Sequence, residues 1–103
     1  MEAVGLIEVF GTVAAFVAAD AACKAANVTM EAFDNNKPLN ADKLPVPLIV
    51  LVKLRGSIAD VSAAIEAAKE AANKISGVVS YHVIPRPEVD TEKLLKINCL
   101  NKK

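Results

Sequence analysis

Apolar positions in this chain switch between a strand period and a helix period, and the switches mark out the elements. EAVGLIEV, residues 2–9, is a short and nearly unbroken apolar run of strand length. Gly11 and Thr12 interrupt it and supply an N-cap for VAAFVAADAACKAAN, residues 13–27, where Val13, Phe16, Val17 and the alanines predict a buried helical stripe. Asp20 and Lys24 fall one turn apart on the other side. VTMEAFD, residues 28–34, alternates Val28, Met30 and Ala32 with Thr29, Glu31 and Phe33, as a second strand would. The pattern then stops, because residues 34–47, DNNKPLNADKLPVP, are polar and punctuated by proline, and read as a loop.

LIVLVKLR, residues 48–55, is the third strand, so continuously apolar that it is expected near the centre of a sheet. Gly56 and Ser57 cap a second helix over residues 58–76, with Ile58, Val61, Ile65, Ala68, Ala72 and Ile75 at helical spacing and Gly77 as its C-cap. VVSYHVI, residues 78–84, is the fourth strand. Asp90 is the expected N-cap of a short terminal helix, TEKLLKI. Two strand-helix-strand units joined between their second and third strands predict an α+β, ferredoxin-like βαββαβ sandwich. Both long helices lie on one face of an antiparallel sheet, and the short C-terminal helix helps to cover the other.

Composition adds a second expectation. Of 103 residues, 53% are hydrophobic but only 4% aromatic, so the core must be built from closely packed Ala, Val, Ile and Leu. One domain spanning residues 1–103 has much surface for its volume, and a mean hydropathy of +0.35 leaves apolar area that a monomer cannot bury. Twelve basic and twelve acidic residues cancel, which weakens repulsion between copies and removes the basic face that nucleic acid requires. An oligomer is expected.

Catalytic chemistry finds little to work with. His82 is the single histidine and lies within a strand; Ser80, two residues before it, has no third orienting group in view. Glu66 and Glu70 are flanked by Lys69 and Lys74 and read as a solvated face. Arg55, at the end of the third strand, could hold an anion at the following helix N-terminus, yet no anion-binding loop of the acylphosphatase kind follows the first strand. Cys23 and Cys99 are far apart with no paired spacing, so reduced thiols and no metal site are expected, with Cys23 a small core residue. The acidic start MEAVGLIEVF does not resemble a secretory signal, and LPVPLIVLV is too short to span a bilayer, so a cytosolic location is expected.

Four stretches together carry a resemblance. EAVGLIEVFG, AADAACKAANV, VKLRGSIADVSAAIEAAKEA and YHVIPRPEVDTEKLL, in that order, resemble the bacterial microcompartment shell proteins of the single-domain, hexamer-forming type. The resemblance implies a non-enzymatic tile without a cofactor: cyclic hexamers that pack edge to edge, with other shell proteins, into a shell around metabolic enzymes in the cytoplasm. It implies that Lys24 and Arg86 lie at the contact between hexamers. Read alone, Arg86 is an exposed arginine between two prolines, which restrict its backbone and lower the entropy lost on docking.

It further implies that the segment before the third strand gathers at the six-fold axis as a pore. Here that segment is longer than the usual Gly-Ser loop, with Pro45, Val46 and Pro47 nearest the strand and Lys37, Asp42 and Lys43 toward the rim. The prolines cannot donate backbone hydrogen bonds, so Val46 is expected to form the narrowest, apolar ring. Some relatives hold an iron-sulfur cluster on a pore-loop cysteine; this loop has no cysteine, and no cluster is expected. The competing class is a metabolite-binding regulator of related topology, which should carry glycines or a basic cluster in the loop; DNNKPLNADKLPVP has neither.

Overall fold

The computed structural model describes residues 2–36 and 48–97. Its elements are β1 (Ala3–Phe10), α1 (Thr12–Ala25), β2 (Thr29–Asn36), β3 (Ile49–Gly56), α2 (Ile58–Asn73), β4 (Val78–Ile84) and α3 (Val89–Leu95). The sheet order is β2-β3-β1-β4, and every neighbouring pair is antiparallel. This is the expected ferredoxin-like arrangement. Ile7 of β1 lies opposite Val52 on one side and Tyr81 on the other, so β1 and β3 form the middle of the sheet.

Side-chain alternation gives the two sheet faces different chemistry. Ile7 and Val9 of β1, with Val50, Val52 and Leu54 of β3, join Ala14, Ala15, Ala18 and Ala22 of α1 and Val61, Ala64, Ile65, Ala68 and Ala72 of α2 in one core. Alanine faces bring the helix axes close to the sheet. At Gly5 the approach is closest: a Cβ built there would sit 2.7 Å from Cγ1 of Val61. Bulky side chains cannot enter such a layer, which corrects the expected stripe in α1: Val13 is 68% exposed and Phe16 55%, and Val17 also faces outward. Ile58 and Ile75, at the ends of the stripe expected for α2, are exposed as well.

Local signals behave unevenly. Ser57 caps α2 as expected, accepting from the Asp60 amide at 3.1 Å. Gly11, not Thr12, is the N-cap of α1, with no side-chain bond. The α3 cap is Glu88, whose carboxylate accepts from the Asp90 amide at 3.0 Å, so the helix begins one residue before Asp90. Beyond α2, Gly77 adopts φ +130 while its amide donates to Ala72 O at 3.0 Å, a conformation that glycine supplies without steric cost. β2 runs on to Asn36, into the segment expected to be loop. A bulge between Met30 and Ala32 breaks its expected alternation, leaving Met30 exposed and the neighbours Ala32 and Phe33 both buried.

The Gly5 contact yields a direct test. Val61 is β-branched and cannot swing its methyl aside freely, so Gly5→Ala should lower the unfolding free energy by about 1–3 kcal/mol in denaturant titration. A loss below about 0.5 kcal/mol would mean that α2 shifts easily on the sheet.

Candidate assembly surfaces

α1 carries two charged residues, Asp20 and Lys24, and both face solvent. Their side chains are 63% and 76% exposed, with Lys24 Nζ 2.8 Å from the Asp20 carboxylate. The hydrogen bond that Lys24 donates to the Asp20 carboxylate raises the lysine pKa, which favours the ammonium. Cys23 beside them is a free, exposed thiol rather than the core residue expected. Cys99 lies outside the described residues.

Arg86 occupies the bend after β4. Pro87 is fully buried and anchors that bend, while Arg86 is exposed, and among the described residues no ion pair involves it. The register shows how the two sequence-predicted residues relate. Thr29, Arg55, Val4 and Ile84 lie in one row across the sheet, so the segments carrying Lys24 and Arg86 leave the same end from opposite edge strands. Three strand spacings separate those edges, about 14 Å. The proposed pore residues Lys37, Asp42, Lys43, Pro45, Val46 and Pro47 all lie outside the described residues.

Arg55 does not wait for an anion at the N-terminus of α2. It is buried on the opposite sheet face, where NH1 and NH2 donate to the two Glu92 carboxylate oxygens at 2.6 and 2.9 Å and NH2 reaches Glu2 O at 3.2 Å. Glu31 stands 4.0 Å from NH1. Lys53, also buried, donates to the carbonyls of Ile97 at 2.7 Å and Leu94 at 3.4 Å at the C-terminal end of α3, where Leu94 O also accepts from the Ile97 amide at 3.2 Å. With Leu95 as its one buried side chain, α3 is held as much by these charges as by apolar contact. Sequence reasoning missed this latch, although Lys53 and Arg55 two residues apart in an apolar strand are the visible signal.

An open hollow of about 310 Å³ is lined by Leu6 and Glu8 of β1, Leu51 of β3, and Ser80, Tyr81 and His82 of β4. Its chemistry is modest. Ser80 Oγ donates to Glu8 Oε1 at 2.5 Å, so the hydroxyl is engaged by a carboxylate rather than by an imidazole base. Among the described residues no group of three or more His, Cys, Asp or Glu could hold a metal, and no helix is long and apolar enough to cross a membrane. Glu66 and Glu70 pair with Lys69 and Lys74 as a solvated face, and Lys69 also lies 3.9 Å from the centre of the Tyr81 ring.

The βαββαβ body thus leaves two valines and a phenylalanine of α1 facing outward, with Lys24 and Arg86 exposed at one end of the sheet. The chain belongs to the BMC domain family, whose model matches residues 3–87. It is 38% identical to the bacterial microcompartment shell protein PduA of Citrobacter freundii over 91% of each chain. To the shell protein EutM of Escherichia coli (strain K12) it is 39% identical, over 94% of this chain and 91% of that one. A solved microcompartments protein from Desulfitobacterium hafniense DCB superposes with a TM-score of 0.70 at 27% identity, covering 93% of this chain; the chain spans 47% of that protein's length.

The latch sets a pH dependence. Hydrogen bonds from Arg55 hold the Glu92 carboxyl below its ordinary pKa against the opposing effect of burial. A depressed carboxyl stabilises the folded form above its ordinary pKa, and that contribution fades as pH falls through the lowered value. Protection factors for the amides of residues 89–97, each observed rate referred to the intrinsic rate at that pH, should therefore be high at neutral pH and fall on acidification. Glu92→Gln should lower these protection factors already at neutral pH. Identical acid profiles in wild type and variant would show that the pair does not hold α3.

Proposed function

We propose that this protein is a structural tile of a bacterial microcompartment shell in the cytoplasm, without catalytic activity of its own. The observation that carries this is the family match across β1 to Pro87, which takes in the whole sheet and both long helices. Its working unit is a cyclic hexamer that packs edge to edge with copies of itself and with other shell proteins around encapsulated enzymes. Outward-facing Val13, Phe16 and Val17 support the oligomer, because they leave apolar area for a neighbour to cover.

Lys24 and Arg86 are proposed as edge residues between hexamers, a reading supported by their exposure and by their position at one end of the sheet. Sedimentation should find a ring of six with little monomer at micromolar concentration, and electron microscopy should find hexagonal sheets. Lys24→Asp should keep the ring and abolish sheets, because a carboxylate replaces the cation and its packed aliphatic stem; Arg86→Ala should weaken tiling in the same sense. Loss of the ring, or normal sheets from both variants, would refute the assignment.

Residues 34–47 are proposed to gather at the six-fold axis and line the pore, with Val46 between Pro45 and Pro47 as the narrowest ring. An apolar ring strips water from ions at a cost that small neutral molecules do not meet. Reconstituted shells should admit a neutral solute faster than an anion of similar size, and Val46→Asp should change that ratio. An unchanged ratio would remove Val46 from the constriction.

A further inference from the structure

Contacts of α3 with the sheet advance along β3 in one direction. Glu92 meets Arg55, and Leu94 and Ile97 then meet Lys53, the preceding residue on the same face of the strand. The next position on that face is Leu51, about 7 Å further, because side chains alternate between the two faces. Leu51 lies opposite Glu8, and Lys53 lies opposite Leu6. Leu51, Glu8 and Leu6 all line the hollow, so the path of α3 brings the chain to its rim at Ile97. Residues 98–103, NCLNKK, follow from there and lie outside the described residues. Extended, such a segment reaches about 20 Å, enough to cross the hollow.

Hollow and segment are complementary in two respects. Leu6 and Leu51 offer a half-buried apolar floor. Glu8 offers a half-buried carboxylate that accepts from the Ser80 hydroxyl, yet among the described residues it joins no ion pair. A cation pairs most strongly with a carboxylate where apolar surface keeps water scarce. The segment brings one large apolar side chain, Leu100, and two ammonium groups, Lys102 and Lys103. Leu100 and Lys102 have the spacing that puts two side chains on one side of an extended backbone. We infer that residues 98–103 fill the hollow of their own chain: Leu100 seats over Leu6 and Leu51, and Lys102 pairs with Glu8. Lys53 sets the starting point of the segment through its bond to the Ile97 carbonyl. Covering this sheet face from within the chain removes it from the apolar area offered to a neighbour and leaves the outward stripe of α1 exposed.

Amide exchange and methyl NMR on the full chain test this, with Leu100→Ser as the first variant. Wild-type amides of residues 99–102 should be protected more than about tenfold over their intrinsic rates, and Leu100→Ser should remove that protection. The same variant should shift the methyl resonances of Leu6 and Leu51. Lys102→Glu should also lower the protection, and adding Glu8→Lys should recover it, because the pair is then reversed. Unprotected wild-type amides, or Leu6 and Leu51 methyls indifferent to Leu100→Ser, would overturn the inference and leave the hollow to another occupant. Should the double variant fail to fold, Lys102→Glu is read against Lys103→Glu: the first should cost protection and the second little, and equal effects would overturn the pairing. Exchange of copies decides whose segment it is. Labelled wild type diluted into an excess of unlabelled Leu100→Ser should keep its own methyl positions. Movement to the positions of the variant would assign the segment to a neighbouring copy and overturn the inference.

Discussion

Because Gly5 leaves no room for a methyl group beneath Val61, α2 rests directly on β1, and the packing of the whole helix layer follows from that approach. Alanines at 14, 15, 18 and 22 let α1 settle at the same depth, and Ala64, Ala68 and Ala72 do so for α2. A layer this thin has no cavity for phenylalanine or for extra branched chains. Phe16 is therefore pushed to the outside, touching the core through a T-shaped contact with buried Phe33 at a centroid distance of 5.0 Å. The close fit that stabilises the fold also leaves apolar groups on its surface. On the proposed tile reading, this exposure is the area that a neighbouring copy covers.

The other sheet face obeys a different constraint. Lys53 and Arg55 are taken from water by their position in a central strand, and each needs acceptors in place of hydration. α3 and the residues just after it supply them: a carboxylate in two-pronged contact with the guanidinium, and the carbonyls of Leu94 and Ile97 for the ammonium. Dependence runs both ways, since a seven-residue helix would not persist alone in water. α3 also begins beyond residue 87, where the family match ends, yet the charges that bind it belong to the matched body.

Charge plays opposite parts in the two places. Around Arg55 it is buried, paired within one chain through NH1 and NH2 while Nε has no partner among the described residues, and committed to fold. At Asp20 and Lys24 it is exposed, weakly coupled in the protomer and therefore available to a neighbour. Both settings rest on stiff elements: Lys24 on the last turn of a helix packed against the core, and Arg86 on a bend whose backbone is fixed by Pro85 and by buried Pro87. Stiff supports lower the entropy lost when two surfaces meet.

Order and type of the elements were legible in the sequence, because apolar runs of strand length, helical spacing and the Ser57 and Gly77 signals are local properties of the chain. The edge role of Lys24 and Arg86 came from a resemblance carried by short motifs, and the structure adds that both residues are exposed. The orientation of the helices was not legible. In α1 almost every position is apolar, so periodicity cannot choose between an alanine face and a Val-Phe face, and the choice was made by the distance at which α1 meets the sheet. Arg55 likewise reads as an available cation until the chain returns, 37 residues later, to set Glu92 against it. A bulge at Glu31 reverses the alternation of β2 because pairing with β3, rather than the residues themselves, decides which side is buried. What the sequence determined was local and periodic; what tertiary structure decided was which of two chemically possible faces met a neighbour, because only contact between distant segments distinguishes them.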